Sequence, residues 1–394
     1  MANDISQEDF AVLATDALVK SGVDEGSLSL DQARYSLVVK DGLGRPLKTI
    51  YLANFFDRYT SASGDESAQA KILSQIVGLT AQLDFPRDFE EARPHLRIQV
   101  KERWFFEDDK YTRIDFGEHF SATLAYDMPD NILYVDNDIL ECWNVSFDDA
   151  FSIAHRQLAQ LTEFAFDTYR SDVNKSDCCH FFSSSDSYSS ARAVFTNIMA
   201  DLPVIGDTLV MVPHRDHLFI TGSECNFGLR HCLSAIKELQ GQPGSLPPIL
   251  LKLVDEYYFP YTLPEEHPLR NQFRSLELEY LNRLYGAQKA DLDARFEHIT
   301  GKRFVSKYKY CDDRINPFST SFISKDLLPC LLPKADYIFF GEGEEPEAIC
   351  SWATAVAILK DKLKEINCYP KRYEVTEYPT DGEIYDMGFE TLPE

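Results

Sequence analysis

Two similar stretches, TLAYDMPDNILYV at residues 123–135 and TLVMVPHRDHLFI at residues 208–220, each consist of two short apolar runs separated by a polar turn. A short apolar run bounded by turn residues is typical of a buried strand. After each of them, hydrophobic residues recur every three or four positions, over 147–161 and 229–236. That spacing places them on one face of a helix. Each stretch therefore predicts a hairpin followed by an amphipathic helix.

The similarity of the two stretches has two interpretations. Either the chain contains a duplicated strand-strand-helix unit, or any hairpin followed by a helix would align equally well by chance. In both cases, hairpins that alternate with helices indicate the α+β class with antiparallel sheets. Helix and strand patterns continue after residue 259, so we expect an α+β C-terminal region as well.

Clusters of helix- and strand-breaking residues divide the 394 residues into four predicted segments. An N-terminal α+β unit spans 1–170. A linker follows at 171–187, because six of the eight residues over 183–190 are serine. A second unit of helix, hairpin and helix spans 188–258. The C-terminal α+β region spans 259–394 and begins in a stretch that is rich in proline.

Within the last two segments, finer patterns make further predictions. Apolar spacing predicts helices over 188–202 and 347–365. The stretch YPKRYEVTEYP at 369–379 predicts an edge strand, since proline is tolerated at the edge of a sheet. Residues 375–394 contain six acidic residues and no lysine or arginine. We expect the very end of this acidic tail to be frayed.

Three segments together carry a resemblance to a known family: YLANFFDRY, TLAYDMPDNILYV and ADLPVIGDTLVMVPHRDHLFITGS. They resemble the YtpQ-type bacterial proteins, a family of unknown function, over about residues 37–251. The resemblance implies a helix, then a hairpin that contains Val212, Pro213, Arg215 and Asp216, then a second helix. It implies no activity, so it informs the expected fold more than the function.

The charge balance narrows the classes of partner. Lysine and arginine total 39 against 64 acidic residues, which gives a formal net charge of −25. Such a chain repels phosphate backbones, so we expect no general binding to nucleic acids or to anionic membranes. A basic protein partner is the complementary expectation. A role in defence or in neutralising a toxin would suit this acidity.

The cellular location is predicted from the N-terminus and the cysteines. The first residues, MANDISQEDFAVLATDALVKSG, lack the basic and apolar blocks of a signal peptide. The most apolar run, 349–359, is far shorter than the ~20 residues that cross a bilayer. Nine cysteines without a C-x-x-C spacing are typical of reduced thiols. We therefore expect a cytoplasmic protein with no membrane association.

The densest polar cluster lies in the second hairpin, at His214, Arg215, Asp216 and His217. One interpretation is structural, because aspartate favours turns and an exposed Arg-Asp pair is worth under ~1 kcal/mol. The other is functional: Arg215 would bind a carboxylate or phosphate, and His214 or His217 would act as a base. The functional interpretation predicts a hydrolase-like enzyme or a small-ligand sensor with its site at this turn.

A second candidate binding site is an aromatic run among prolines, with Tyr257, Tyr258 and Tyr261. It is either a recognition surface, since aromatic residues dominate interface hot spots, or a lid that closes a core. Cys178, Cys179 and His180 suggest a metal site, but no second pair with zinc-like spacing accompanies them. The established catalytic and phosphate-binding motifs are absent as well. We therefore predict no metal and no cofactor, and favour a non-catalytic interaction protein.

Overall fold

The computed structural model describes residues 5–32, 35–40, 46–80, 86–106, 110–128, 132–162, 166–183, 186, 188–297, 303–312, 315–341 and 345–393. The chain divides into two compact units, Met1–Ala92 and Arg93–Glu394. The predicted segments that begin at 171, 188 and 259 all lie within the second unit.

The first unit combines helices with a three-stranded antiparallel sheet, whose strands lie in the order β1-β2-β3. Its elements are α1 (Gln7–Lys20), β1 (Leu28–Asp31), β2 (Ser36–Lys40), β3 (Pro46–Tyr51), α2 (Ala53–Ser61), α3 (Glu66–Thr80) and α4 (Phe89–Ala92). Side chains of α1, α3 and the sheet share one core. It includes Phe10, Leu18, Leu37, Ile50 and Ile76.

The first half of the second unit contains two antiparallel sheets. Its elements are β4 (Leu96–Glu102), β5 (Arg113–Phe116), β6 (Phe120–Asp127), β7 (Ile132–Tyr134), α5 (Asn137–Trp143), α6 (Phe147–Leu161), β8 (Asp167–Arg170), β9 (Cys178–Ser183), α7 (Thr196–Ala200), β10 (Thr208–His214), β11 (His217–Gly222), α8 (Asn226–Leu239), β12 (Leu251–Val254) and β13 (Tyr257–Pro260). Strand β6 lies between β4 and β5 and also pairs with β7. The other sheet has the order β13-β12-β10-β11-β9-β8, and α8 packs against it through Leu229 and Leu233.

The second half of this unit consists of a long helix and two mixed sheets. Its elements are α9 (Arg270–Phe296), β14 (Phe304–Val305), β15 (Lys309–Cys311), β16 (Phe318–Ile323), β17 (Cys330–Pro333), β18 (Tyr337–Phe340), β19 (Ala348–Ser351), α10 (Trp352–Leu359), β20 (Leu363–Ile366), β21 (Arg372–Val375) and α11 (Asp381–Met387). The strand orders are β14-β17-β21-β20 and β15-β16-β18-β19. The pairs β14–β17 and β16–β18 are parallel, and the others are antiparallel.

The α+β class is confirmed, because helices accompany sheets that are mainly antiparallel. Both predicted hairpins are present, as β6–β7 and β10–β11, and helices follow each of them. The helix predicted over 147–161 is α6, and the Ser146 side chain caps it by accepting a hydrogen bond from the Asp149 amide. The two hairpins belong to different sheets, and their duplication stays a prediction.

Two predictions near the serine-rich stretch are wrong. The sequence predicts a linker over 171–187, but Cys178–Ser183 form β9, which pairs with β8 and β11 inside the six-stranded sheet. Cross-strand pairing buries both cysteines there, and the serines that suggest a loop begin only at the strand's end. The single helix predicted over 188–202 is instead a 3₁₀ segment at Ser190–Val194 followed by the short α7.

The C-terminal predictions also need correction. The helix predicted over 347–365 is β19, α10, a 3₁₀ turn and β20, because 348–351 and 363–366 pair with neighbouring strands. The predicted edge strand, β21, lies between β17 and β20. The acidic tail contains α11, which Thr380 and Glu383 stabilise through a reciprocal capping box. This part of the tail is therefore helical, and the expectation of fraying applies only to the residues after it.

The longest of the described helices, α9, contains charged residues along its whole length, and its buried side chains include Phe273, Leu278 and Tyr285. None of the described helices combines the length and the apolar character that a bilayer span requires.

Candidate functional site

His214 is held on both sides of its imidazole ring at the β10–β11 turn. Its Nε2 lies 2.9 Å from the carbonyl oxygen of Pro243, to which it donates a hydrogen bond. Its Nδ1 accepts a hydrogen bond from the amide of Asp216 at 3.1 Å. These two bonds fix the neutral tautomer with the proton on Nε2. Both ring nitrogens are thus used within the protein, as expected for a residue that stabilises the turn.

The other three predicted residues of the turn differ in exposure. The Arg215 side chain is exposed, and its Nε lies 3.4 Å from a carboxylate oxygen of Asp216. The rings of His217 and Phe219 stack on one face of β11, as the alternation predicted. Burial lowers the pKa of His217, so the ring is neutral at pH 7. Its Nδ1 is buried without a hydrogen-bond partner among the described residues.

The structure divides the aromatic run between a core and a surface. Tyr258 points inward, and its hydroxyl donates to the carbonyl oxygen of Ala193 at 2.6 Å. Tyr261 packs against the core beneath α8. Tyr257 and Phe259 point outward from β13, with 70% and 53% of their surfaces exposed. The alternation of a strand therefore places part of this run in the core and leaves part of it on the surface, and a role in recognition stays a prediction.

The exposed face of the β12–β13 hairpin joins apolar and acidic side chains. Val254 pairs with Tyr257 across the hairpin and is also exposed. Asp255 and Glu256 form the turn, both with positive φ, and both are exposed. The described residues form no ion pair with either carboxylate. We call these five residues, Val254, Asp255, Glu256, Tyr257 and Phe259, the hairpin patch.

Buried cysteines accompany His180 in β9. The Cys178 Sγ lies 3.5 Å from the His180 Nε2, which also lies 3.0 Å from the carbonyl oxygen of Pro203. The Cys179 Sγ lies 3.9 Å from the Cys232 Sγ on α8. Within the part of the chain that the structure describes, no three His, Cys, Asp or Glu side chains are placed to hold a metal ion.

Titratable side chains from four distant parts of the sequence meet at a second location, which sequence reasoning missed. Glu102 ends β4, His119 precedes β6, Tyr280 lies on α9 and Tyr369 precedes β21. The His119 Nδ1 lies 2.8 Å from the Tyr369 hydroxyl, which lies 3.4 Å from the Tyr280 hydroxyl. The Glu102 carboxyl lies close enough to Tyr280 to raise the pKa of its hydroxyl. We call these four residues the tyrosine–histidine cluster.

Burial dominates the electrostatics of this cluster. Burial, with a smaller contribution from nearby Arg103, lowers the pKa of His119 to about 4. It also raises the pKa of Glu102 and of both tyrosines. Clusters of desolvated ionisable groups are typical of functional sites, although structural networks shift pKa values as well. No sequence signal marks this cluster, because its members are isolated polar residues until α9 packs beside β4 and β6.

Because the pKa of His119 is lowered, we expect it to make folding dependent on acidity. Above pH 6.5 the imidazole is neutral in both states and has no effect. Between pH 6.5 and about 4 the unfolded chain binds a proton that the folded chain resists, so stability falls. The loss is on the order of 3 kcal/mol across this window. Urea unfolding at pH 7, 5.5 and 4 measures this effect. The free energy of unfolding should fall less with decreasing pH in His119→Gln than in the wild type. An identical dependence on pH in the two proteins would contradict the expectation.

No family model matches the chain, and no curated protein or solved structure matches it. The resemblance to the YtpQ-type proteins over residues 37–251 therefore stays a prediction. Three sites are available for an inference of function: the 214–217 turn, the hairpin patch and the tyrosine–histidine cluster. The hairpin patch differs from the other two because all five of its residues are exposed, as contact with another protein requires.

Proposed function

We propose that this chain is a cytoplasmic, non-catalytic binding protein that engages a basic protein partner through the hairpin patch. The observation that carries the proposal is the exposure of Tyr257 and Phe259 on the same short hairpin as two unpaired carboxylates. The net charge of −25 also favours a positively charged partner. A role in defence or toxin neutralisation would be compatible with such a partner.

The chemistry of the hairpin patch favours arginine and lysine as the groups it binds. Aromatic faces attract cations by about 0.5–2 kcal/mol each, and Tyr257 and Phe259 offer two such faces. Asp255 and Glu256 add carboxylates that can form charge-assisted hydrogen bonds. At the border of the patch, Lys252 is occupied by an ion pair with Asp207 at 2.7 Å, so it does not cancel these charges.

The proposal predicts that substitution of both exposed aromatic residues abolishes the interaction. Tagged protein purified from its own cells at low ionic strength should retain a basic protein in stoichiometric amount. High salt should release that protein, since the screening length between exposed charges falls to about 3 Å at 1 M. The variant Tyr257→Ser with Phe259→Ser should bind the purified partner at least ~10-fold more weakly, as expected for central aromatic residues.

The matched control is Tyr385→Ser, which removes an aromatic ring that is 86% exposed on α11, away from the hairpin. This variant should bind the partner as the wild type does. A second variant, Asp255→Asn with Glu256→Gln, should weaken binding and flatten its dependence on salt. The proposal is wrong if no basic protein is retained, or if the double aromatic variant retains it fully.

The alternative is a hydrolase-like enzyme or a small-ligand sensor at the 214–217 turn. It has less support, because both ring nitrogens of His214 are already bonded within the protein. Arg215 remains available for an anion, and the unpartnered His217 Nδ1 is the better candidate base. Loss of activity without loss of stability in Arg215→Ala would favour this alternative.

A further inference from the structure

Two arginine side chains lie over the rings of the tyrosine–histidine cluster. The guanidinium carbon of Arg103 is 4.7 Å from the centre of the Tyr369 ring. That of Arg283 is 5.7 Å from the centre of the Tyr280 ring. The hydroxyls of these two tyrosines are 3.4 Å apart, so the two cations lie over two rings of the same hydrogen-bonded pair. Stacking of this kind holds a guanidinium in place while its edge stays available.

The donors of both arginines are incompletely used. Arg103 forms an ion pair through Nε with Asp115 at 3.1 Å, and none of the described residues accepts from its two terminal nitrogens. Arg283 is exposed and has no ion pair within the described residues. Among the other described arginines, most bond to carboxylates or carbonyl oxygens, as Arg97, Arg192, Arg274 and Arg372 do. Two free guanidinium edges beside one cluster are therefore unusual here.

His119 adds a third donor at the same place. Only 8% of its surface is exposed, and its Nδ1 faces the Tyr369 hydroxyl. Its Nε2 has no hydrogen-bond partner among the described residues. When Tyr369 donates to Nδ1, the neutral ring carries its proton on Nε2 and can donate it to a ligand.

We propose that Arg103, Arg283 and His119 form a binding site for the oxyanion of a small molecule, either a carboxylate or a phosphate. The forked guanidinium groups match the geometry of both anions, and the imidazole supplies a neutral donor. The nearby carboxylates do not prevent this. Asp115 is paired with Arg103 and with Arg113 at 3.2 Å. Burial raises the pKa of Glu102, which favours its neutral form, and Arg283 acts on the same carboxyl. Glu118, in the adjacent turn, is exposed to solvent.

Titration of the protein with inorganic phosphate and, separately, with acetate tests this proposal. We expect at least one of them to bind with a dissociation constant on the order of 1 mM, a value suited to a small anion held by a few charged donors. Resonances of the His119 ring nitrogens should move during that titration. The bound anion should also raise the pKa of His119 from its value of about 4, since a nearby negative charge favours the imidazolium.

Variants separate this site from general attraction of anions. Arg103→Gln and Arg283→Gln should each weaken binding at least ~10-fold, as expected when one charge-assisted contact is lost. Arg295→Gln is the matched control, since it removes a cation from the same helix as Arg283, where it pairs with Asp291. The variant His119→Gln should remove the pH dependence of anion binding that the titration of His119 causes. Absence of binding by both anions, or equal weakening by Arg295→Gln, would overturn the proposal.

Discussion

Replacing Arg372 with leucine is expected to lower the free energy of unfolding by about 4 kcal/mol or to prevent folding. The side chain is fully buried, and its guanidinium joins three parts of the second unit. Its Nε donates to the Gln288 side chain at 2.6 Å, and Nη1 donates to the carbonyl oxygens of Ser306 and Leu331 at 2.8 and 3.0 Å. Its Nη2 donates to the Tyr285 carbonyl oxygen at 3.4 Å.

The size of this effect follows from the acceptors that leucine would leave behind. Each buried oxygen without a donor costs roughly 1–3 kcal/mol. All four oxygens lose the guanidinium together, although the Leu331 oxygen keeps the hydrogen bond from the Ser306 amide at 3.0 Å. All four acceptors are neutral, so no carboxylate offsets the burial of the charge at these contacts. Burial lowers the pKa of Arg372 to about 10, which still leaves it protonated at pH 7. The cation is thus retained because its hydrogen bonds compensate for its lost hydration.

Urea unfolding followed by circular dichroism measures the effect, and Arg303→Leu is the matched control. Arg303 pairs with Glu374 on the same strand as Arg372, but its side chain is largely exposed. Removing a surface ion pair costs under ~1 kcal/mol. The variant Arg372→Lys should lose an amount of unfolding free energy between those of Arg372→Leu and Arg303→Leu, because one ammonium cannot reach all four acceptors. Equal losses for Arg372→Leu and Arg303→Leu would contradict the importance of the buried network.

Arg372 also shows what the sequence cannot reveal about this fold. Its acceptors are main-chain oxygens and an amide from positions 41 to 87 residues away, and no pattern of side chains marks them. The same limit applies to the tyrosine–histidine cluster, where His119 and Tyr369 are 250 residues apart. Apolar runs around a polar turn and helical spacing are local signals, so they predicted β10–β11 and α6 correctly. Contacts created by packing leave no such signal.

The error over 347–365 has a local cause. The apolar residues there are spaced as in a helix, but those before Ser351 belong to β19 and pair with β18. Ser351 then begins α10 by accepting a hydrogen bond from the Thr354 amide. Lys360, at φ 46°, ends the helix in a conformation that a helix interior does not tolerate. The serine was a usable start signal, whereas pairing with β18 depends on the tertiary fold.

Gly228→Ala is expected to destabilise the protein by about 3 kcal/mol, although alanine is the better helix former. Gly228 lies in the first turn of α8, where the helix crosses β9 and β11. A Cβ atom there would lie 2.0 Å from the Thr221 Oγ1 and 2.3 Å from the Cys178 carbonyl oxygen. These two atoms are themselves hydrogen-bonded at 2.8 Å, so neither can move without loss. The helix would have to shift away from the sheet, which forfeits close packing.

The same shift would break the cap of α8. Asp177 accepts hydrogen bonds from the amides of Phe227 and Gly228 at 2.9 and 3.3 Å, and a displaced helix would lose them. Loss of such a cap costs about 1 kcal/mol in addition. Gly286→Ala on α9 is the matched control, because nothing lies within 4 Å of the added Cβ. It should stabilise the protein by about 0.5–1 kcal/mol through helix propensity alone.

Both variants add one methyl group, yet the midpoints of thermal and urea unfolding should fall for Gly228→Ala and rise for Gly286→Ala. Such opposite changes in stability would show that the contact between α8 and the six-stranded sheet, rather than helix propensity, requires glycine at position 228. If Gly228→Ala were as stable as the wild type, α8 would have to lie farther from β9 than the contacts with Thr221 and Cys178 allow. In that case the position of α8 over the core that includes Leu209, Leu229 and Leu233 would also be wrong.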